Sequence, residues 1–179
     1  MNGGDFTTSW PTLFETLRSR LLLALGDLAD SIEHVGSTAV PGLVAKPIID
    51  LDIVVDSATD VPLAVARLAT LGYQHRGDLG IEGREAFDRP AKLPAHHLYV
   101  CVQGSLALAN HLTIRDYLRQ HPEAAVKYGF LKRRLAREFP LEPARYGGGK
   151  TEFLVGLLRA AGFREDVLSA IVNVNRVIP

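Results

Sequence analysis

Two aspartates stand two residues apart in an otherwise apolar run of this sequence. Asp50 and Asp52 lie within residues 47–55, a run rich in β-branched residues that predicts a strand. Side chains alternate across a strand, so both carboxylates should point to the same face. Like charges at that spacing repel and are costly to desolvate, and a divalent cation removes both penalties. The pair therefore predicts a site for Mg²⁺ or Mn²⁺, which bind through one or two carboxylates plus substrate phosphates.

The pair Gly36 and Ser37 precedes these aspartates and predicts a turn at the start of a short helix, which Pro41 and Gly42 end quickly. Such a turn offers free backbone N–H groups and a hydroxyl, which suit a phosphate. Taken alone, the Asp-x-Asp pattern has an alternative interpretation, in which the two aspartates cap the end of a strand and are exposed to water. A phosphate seat close to metal-binding carboxylates instead favours nucleotidyl transfer, in which metal ions stabilise the attacking and leaving oxygens.

The elements that must position these residues follow from hydrophobic spacing and from the turn-forming residues. We expect helices at residues 11–25, 61–71, 107–120, 122–138 and 151–160, and strands at 31–34, 47–55, 73–77, 85–89 and 98–102. This order predicts an α+β protein, in which a mixed β-sheet core carries an N-terminal helix and a C-terminal helical layer. The connection 139–150 contains two prolines and three consecutive glycines, and the glycines are expected to form a flexible entry to the last helix.

The length of 179 residues suits a single domain over 1–179, with a core at about 11–105 and a helical part at about 106–179. A formal net charge of zero argues against a strongly basic nucleic-acid binder, so a nucleic-acid partner is not expected. No apolar run is long enough for a membrane span, and no signal peptide is recognisable. The single cysteine, Cys101, is expected to be a buried thiol in a reducing, cytoplasmic compartment. The oligomeric state stays open.

Several motifs together resemble the GrpB family, whose fold belongs to the nucleotidyltransferase superfamily. They are the runs 32–43, 45–50, 71–73, 96–100 and 115–122, followed by Ala125, Tyr128, Leu131, Lys132, Leu135, Tyr146, Lys150 and Phe153. The resemblance implies a nucleotidyltransferase-like fold and a site that binds a nucleotide or a phosphorylated small molecule. Domains of this family also occur fused to dephospho-coenzyme A kinases, and some members are described as accessory folding domains.

One position departs from the pattern of an active nucleotidyltransferase, which usually has a third carboxylate on a later strand. The matching stretch contains His96, His97 and Tyr99 instead. His97 should share a face with Tyr99, and it is a candidate metal ligand, base or phosphate contact, or a structural histidine. Glu82, Glu85 and Asp88 are the nearby acids, and Asp88 is the first candidate among them for the missing carboxylate.

Basic side chains on the C-terminal helices extend the candidate site. His111, Arg115 and Arg119 share one helix face, as do Tyr128 and Lys132 on the next helix, whereas Arg133, Arg134 and Arg137 are expected to be solvated. The family motifs favour a functional role for Arg115, Tyr128 and Lys132, because a helical layer over the sheet can hold phosphates. The candidate substrate-binding residues are Gly36, Ser37, Thr38, Lys46, Arg115, Tyr128, Lys132 and Lys150.

Residues 147–151, with the sequence Gly-Gly-Gly-Lys-Thr, resemble part of a phosphate-binding P-loop. That motif needs a glycine at position 144, where this sequence has Ala144, and it also needs a buried strand before the loop, which is lacking here. We therefore exclude a P-loop ATPase, while Lys150 remains a candidate anion contact.

Three functions are compatible with these residues. The first is Mg²⁺-dependent nucleotidyl transfer to an unknown acceptor, with Asp50, Asp52 and His97 as catalytic residues and the two aspartates as metal ligands. The second is a nucleotide or coenzyme-phosphate binding module without catalysis, which the absent third carboxylate favours. The third is an interaction or accessory protein whose aspartates are relics.

Overall fold

A computed structural model describes the backbone of residues 9–177 and the side chains of residues 9–173. Its elements, in chain order, are helix α1 (Ser9–Leu25), strands β1 (Ser31–Val35) and β2 (Ile49–Val55), helix α2 (Val61–Thr70), strands β3 (Gln74–His75), β4 (Arg84–Asp88) and β5 (His96–Val102), and helices α3 (Leu106–Gln120), α4 (Pro122–Glu138), α5 (Pro143–Gly148), α6 (Thr151–Ala160) and α7 (Glu165–Val177). This order confirms the α+β prediction. Within the described residues, none of the helices has the length and apolar character needed to cross a membrane.

The five strands form one mixed sheet in the order β1-β2-β5-β4-β3. Strands β2 and β5 are parallel, and every other neighbouring pair is antiparallel. A parallel pair needs a crossover connection, which α2, β3 and β4 provide. Strand β2 consequently lies inside the sheet, where its register places Asp50 opposite His97 and Asp52 opposite Tyr99.

The two faces of the sheet differ in what covers them. Helices α1 and α2 pack on one face and enclose the main core, to which Leu51 and Ile53 contribute fully buried side chains. Helix α3 covers the other face, where Leu108 packs against Val54 and Cys101. Because side chains alternate along β2, Asp50 and Asp52 point away from the main core and toward the face that the C-terminal helices cover. This confirms that the two carboxylates share a face.

Proline and glycine residues mark several of the predicted helix ends. Pro62 lies in the first turn of α2, and Gly72 follows that helix at φ 87°, a conformation that glycine adopts without strain. Pro122 begins α4 as predicted. The strand expected at 73–77 shortens to the two residues of β3.

In the connection 139–150, the prediction that the three glycines form a flexible entry to the helix at 151–160 is wrong. The segment contains helix α5, which has Pro143 in its first turn. A Cβ atom on Gly149 would lie 2.6 Å from Leu135 Cδ2, so the missing side chain allows close packing on α4. Helix α7 was also not predicted. Its residues Leu168 and Ile171 pack on Val155 and Leu158 of α6.

Candidate functional site

The turn that follows β1 brings the backbone of Gly36 into close contact with the carboxylate of Asp50. Gly36 has φ 69° and ψ −167°, a conformation essentially confined to glycine. A Cβ atom at this position would lie 2.1 Å from Asp50 Oδ2. Residues Ser37–Ala39 then form one 3-10 turn in place of the start of an α-helix. Glycine is therefore required both by its backbone angles and by the carboxylate that occupies the space of its side chain.

Asp50 is hydrogen-bonded to the histidine directly across the parallel strand pair. Asp50 Oδ1 lies 2.7 Å from His97 Nδ1. An ionised carboxylate only accepts hydrogen bonds, so Nδ1 donates and Nε2 of His97 is left as an acceptor. The hydrogen bond to Asp50 raises the pKa of His97 above its usual 6.5, although burial opposes this shift. The side chains of His97 and Asp50 are 55% and 27% exposed, so this pair is accessible to solvent.

Asp52 is held in a different way, by a histidine from the helical layer. Its carboxylate is fully buried, and Oδ2 lies 2.8 Å from His111 Nδ1 on α3. The other oxygen, Oδ1, has no hydrogen-bond partner. Sequence reasoning missed His111 as a site residue. The available signal was its place on the helix face of Arg115 and Arg119, which did not indicate a partner on β2.

The acids that were candidates for a third carboxylate lie elsewhere. Asp88 is 3.0 Å from Arg76 and 57% exposed, on β4, which β5 separates from β2. Glu85 is bonded to His75 at 2.6 Å and is paired with Val100, which faces the main core. Glu82 lies in the turn before β4. The structure does not place Asp88 next to the aspartate pair, because β5, which carries His97, is the strand beside β2.

No set of three or more His, Cys, Asp or Glu side chains in the described part of the chain is arranged to hold a metal ion. The donor atoms that favour a cation are the partnerless Oδ1 of Asp52 and the Oδ2 of Asp50 that fills the space beside Gly36. Both are hard carboxylate oxygens, which suit Mg²⁺ better than a softer metal.

Lys46, from the connection before β2, and lysines and tyrosines from the C-terminal part of the chain form a cationic cluster near Asp50. The ammonium groups of Lys46 and Lys150 lie 4.8 and 4.7 Å from the centre of the Tyr146 ring. Lys132 lies 4.8 Å from the ring centre of Tyr128 and donates a hydrogen bond to the carbonyl of Val44. We call Lys46, Lys132, Lys150, Tyr128 and Tyr146 the lysine–tyrosine cluster. Part of it lines a cavity of about 30 Å³, room for one or two waters.

Burial and mutual repulsion both act on these lysines. Burial is the main cause that lowers the pKa of Lys132 to about 7, and the charge of Lys150 adds to it while Asp50 opposes it. Burial and then Lys46 lower the pKa of Lys150, again against the charge of Asp50. Burial raises the pKa of Tyr128, whose side chain is hydrogen-bonded to Ser37. Crowded, partly desolvated ammonium groups of this kind favour an anionic ligand.

Two of the predicted substrate-binding residues instead make contacts within the protein. The buried hydroxyl of Thr38 lies 3.0 Å from His34 Nε2 and donates to the carbonyl of Ile48. Arg115 is 12% exposed and lies 2.7 Å from both Glu33 and Asp116. These contacts hold the residues on both sides of the turn at Gly36. The assignment of Thr38 and Arg115 as ligand contacts stays a prediction.

Two other expectations are confirmed. Cys101 is fully buried, and burial raises the pKa of its thiol. Arg133, Arg134 and Arg137 are exposed on α4.

The site combines a glycine turn, in close contact with the carboxylate of Asp50, and a second carboxylate on the same strand face, that of Asp52. Residues 4–160 match the family model described as GrpB protein. The chain belongs to the GrpB family. The UPF0157 protein YqkA of Bacillus subtilis is 37% identical over 149 residues, which cover 83% of this chain and 43% of that protein. The chain thus spans less than half of that relative's length.

Another relative is named dephospho-CoA kinase, from Mycolicibacterium paratuberculosis. It is 39% identical over 149 residues, which cover 69% of this chain and 37% of that protein. Among solved structures, the conserved protein GrpB from Enterococcus faecalis matches with a TM-score of 0.79 and 29% identity, over 94% of this chain and 98% of that chain. This GrpB member therefore has the fold of its family over nearly the whole chain.

A more distant structure shows which larger fold group the family belongs to. The Cid1 poly(U) polymerase bound to MgATP matches with a TM-score of 0.56 and 15% identity, over 82% of this chain and 50% of that chain. Likeness at this identity shows the fold alone. The GrpB fold of this chain is thus nucleotidyltransferase-like, as predicted.

Proposed function

We propose that this protein binds a nucleoside triphosphate with Mg²⁺ or Mn²⁺ and transfers a nucleotidyl group to an acceptor hydroxyl. One observation carries the proposal: Asp52 is fully buried and its Oδ1 has no partner, two positions from Asp50 on the same face. A buried ionised oxygen without a partner is costly, and a cation bound there removes that cost. Mg²⁺ fits these donors, because it binds one or two carboxylates and completes its octahedron with waters and substrate phosphates.

Asp50 and Asp52 are the proposed metal ligands, and the ion would supply positive charge at the reacting phosphate. The lysine–tyrosine cluster is the proposed seat of the remaining phosphates. Lys132 is buried and Lys150 is half-buried, each against a tyrosine ring, and no carboxylate of the described residues forms a salt bridge with either. Their charges would neutralise the phosphate chain, and Ser37 would add a hydroxyl from the turn.

His97 is the proposed general base. Asp50 holds Nδ1, which leaves Nε2 of the neutral imidazole as the proton acceptor on a side chain that is 55% exposed. In the proposed step the acceptor hydroxyl attacks the α-phosphorus and its proton moves to His97 Nε2. The bond between the α-phosphorus and the bridging oxygen breaks, and pyrophosphate leaves with that electron pair. The nucleotidyltransferase-like fold supports this reaction class over others.

The test is incubation of the protein with Mg²⁺, each common nucleoside triphosphate labelled at the α-phosphate, and a deproteinised metabolite extract. A labelled product and released pyrophosphate are expected. Asp50→Asn should abolish both, while Asp88→Asn, which alters only an exposed ion pair, should leave both intact. Absence of any labelled product, together with unchanged nucleotide affinity in Asp50→Asn, would contradict the proposal.

A second function is a nucleotide or coenzyme-phosphate binding module without turnover. Two observations favour it. A histidine, His97, and not a carboxylate pairs with Asp50 on the neighbouring strand, and one relative is named dephospho-CoA kinase. Thermal unfolding with nucleotides, dephospho-coenzyme A or coenzyme A separates the two functions. Stabilisation that requires Lys132 and occurs without pyrophosphate release supports the binding module.

A further inference from the structure

Arg84 is a buried cation without an acidic partner. It begins β4, only 9% of its surface is exposed, and its Nε has no hydrogen-bond partner. Its guanidinium carbon lies 4.5 Å from the ring centre of Tyr99. No salt bridge joins Arg84 to a carboxylate within residues 9–173. The ring contact is therefore its principal stabilising interaction.

That contact leaves the buried Nε–H of Arg84 without an acceptor among the described residues. A cation–π contact contributes about 2 kcal/mol when desolvated, whereas an unpaired buried charge costs several kcal/mol. At a binding site, a ligand can supply the counter-charge that such a group lacks. Arginine suits this role because its planar fork binds a carboxylate or a phosphate through two hydrogen bonds.

The position of Arg84 links it to the two aspartates. Tyr99 lies opposite Asp52 on the neighbouring strand and opposite the small Ala86 on β4, which leaves room for Arg84 to lie over the ring. The Tyr99 ring is 5.8 Å from the ring of His111, which is bonded to Asp52. Arg84 thus lies on the same face of the sheet as Asp52 and two strands away, about 10 Å in lateral distance.

Electrostatics agree with this placement. Burial is the main cause that raises the pKa of Tyr99, Arg84 lowers it, and both aspartates raise it. Asp52 raises and Arg84 lowers the pKa of Cys101, on which burial again has the largest effect. At the other end of the aspartate pair, the hydrogen bond to Asp50 raises the pKa of His97, and the charges of Lys46 and Lys150 oppose this shift. Cationic side chains therefore lie at both ends of the aspartate pair, the lysines near Asp50, and Arg84 near Asp52. The phosphates of the proposed nucleotide would contact only the lysines.

We propose that Arg84 binds the acceptor substrate through an anionic group, a carboxylate or a phosphate, and holds it across Tyr99 from Asp52. This rests on the proposed transferase function and defines the acceptor as a small anionic molecule that carries a hydroxyl. Its anion binds the guanidinium fork, and its hydroxyl extends toward the aspartates and His97. The two ends of the site then select different substrates, the triphosphate at the lysines and the acceptor at Arg84.

Proton–nitrogen NMR of the arginine side chains tests this directly, because the Nε–H of Arg84 is buried and should exchange slowly with water. Arg84→Lys, which keeps the charge, assigns the signal. Sodium phosphate and sodium acetate are titrated separately, with sodium chloride at equal ionic strength as the control. A saturable shift of the Arg84 signal with phosphate, acetate or both is expected, and the more effective anion identifies the class. A signal that does not move, or that moves equally with chloride, would overturn the proposal.

Two variants separate this inference from the nucleotide site. Lys132→Met should leave the response of Arg84 intact. Arg84→Gln should weaken binding of the effective anion about 10- to 100-fold, the loss of a charged hydrogen-bond pair, and should leave stabilisation by Mg²⁺-nucleotide unchanged. Loss of nucleotide binding in Arg84→Gln would assign Arg84 to the nucleotide instead and refute the inference. An Arg84 response without any Mg²⁺-nucleotide binding would refute the proposed function alone.

Discussion

Asp52 on β2 and His111 on α3 are joined by a hydrogen bond of 2.8 Å, although they are 59 residues apart in the chain. The bond fixes one carboxylate oxygen and leaves Oδ1 buried without a partner. An apolar strand that is buried on both sides normally excludes such a group. The relationship thus identifies Asp52 as a residue retained at a cost to stability, and this cost can be measured.

Asp52→Asn should raise the stability of the metal-free protein. Asparagine keeps an acceptor for His111 and removes a buried charge whose second oxygen has no partner. An increase of about 1–3 kcal/mol is expected in the free energy of unfolding, measured by urea titration with EDTA present. The variant should also lose any stabilisation that Mg²⁺-nucleotide gives to the unsubstituted protein.

Asp88→Asn is the matched control for this prediction. It removes an exposed carboxylate bonded to Arg76, and a change within about 1 kcal/mol is expected. Equal effects of the two substitutions would show that the buried oxygen of Asp52 carries no special cost.

Gly36→Ala should be more destabilising than Gly42→Ala. Both glycines have positive φ, 69° and 77°, so both substitutions strain the backbone by about 1–2 kcal/mol. Only at Gly36 would the new Cβ meet Asp50 Oδ2, at 2.1 Å, whereas nothing lies within 4 Å at Gly42. Urea unfolding of both variants measures the difference. It should exceed about 1 kcal/mol, and no difference would mean that the carboxylate moves aside freely.

Lys132 should make the stability of the protein depend on pH. Burial lowers the pKa of Lys132 to about 7 from 10.5. Between these values the unfolded chain holds a proton that the folded protein has lost, so the free energy of unfolding rises with pH. The slope should be about 1 kcal/mol per pH unit near the middle of that range.

Lys132→Met should remove this slope, and Lys127→Met, at an exposed position on the same helix, should keep it. Urea titrations between pH 7.5 and pH 9.5, about the middle of that window, compare the three proteins. The slope is the informative quantity, because methionine also leaves the carbonyl of Val44 without its donor. A slope retained in Lys132→Met would mean that the ammonium group is better solvated than its burial indicates.

His97→Gln should lower the rate of the proposed transfer about 10²- to 10⁴-fold, the usual contribution of a general base. The hydrogen bond to Asp50 raises the pKa of His97 above 6.5. The unprotonated base therefore forms only above that pKa, and the rate should rise with pH through a value above 6.5. His75→Gln, at a histidine bonded to Glu85 on the far strands, serves as the control. If the rate of His97→Gln kept the pH dependence of the unsubstituted protein, or if this variant lost Mg²⁺-nucleotide binding, His97 would not be the general base.

The sequence by itself predicted much of what lies close together in the chain. The β-branched run before Asp56 predicted β2, and the period of two placed Asp50 and Asp52 on one face. Pro62 and Gly72 predicted the ends of α2 for reasons of backbone geometry alone. These features depend on dihedral angles and side-chain alternation, which each short segment determines without reference to the rest of the chain.

Only the tertiary structure decided which distant side chains meet. Helical spacing grouped His111 with Arg115, but the packing of α3 on the sheet directs His111 to Asp52 and Arg115 to Glu33. Asp88 and His97 were both candidates for the third position, and strand order places only His97 next to Asp50, since β5 lies beside β2 and β4 does not. Pairing of strands and docking of helices depend on the buried surface of the whole chain, which no local pattern encodes.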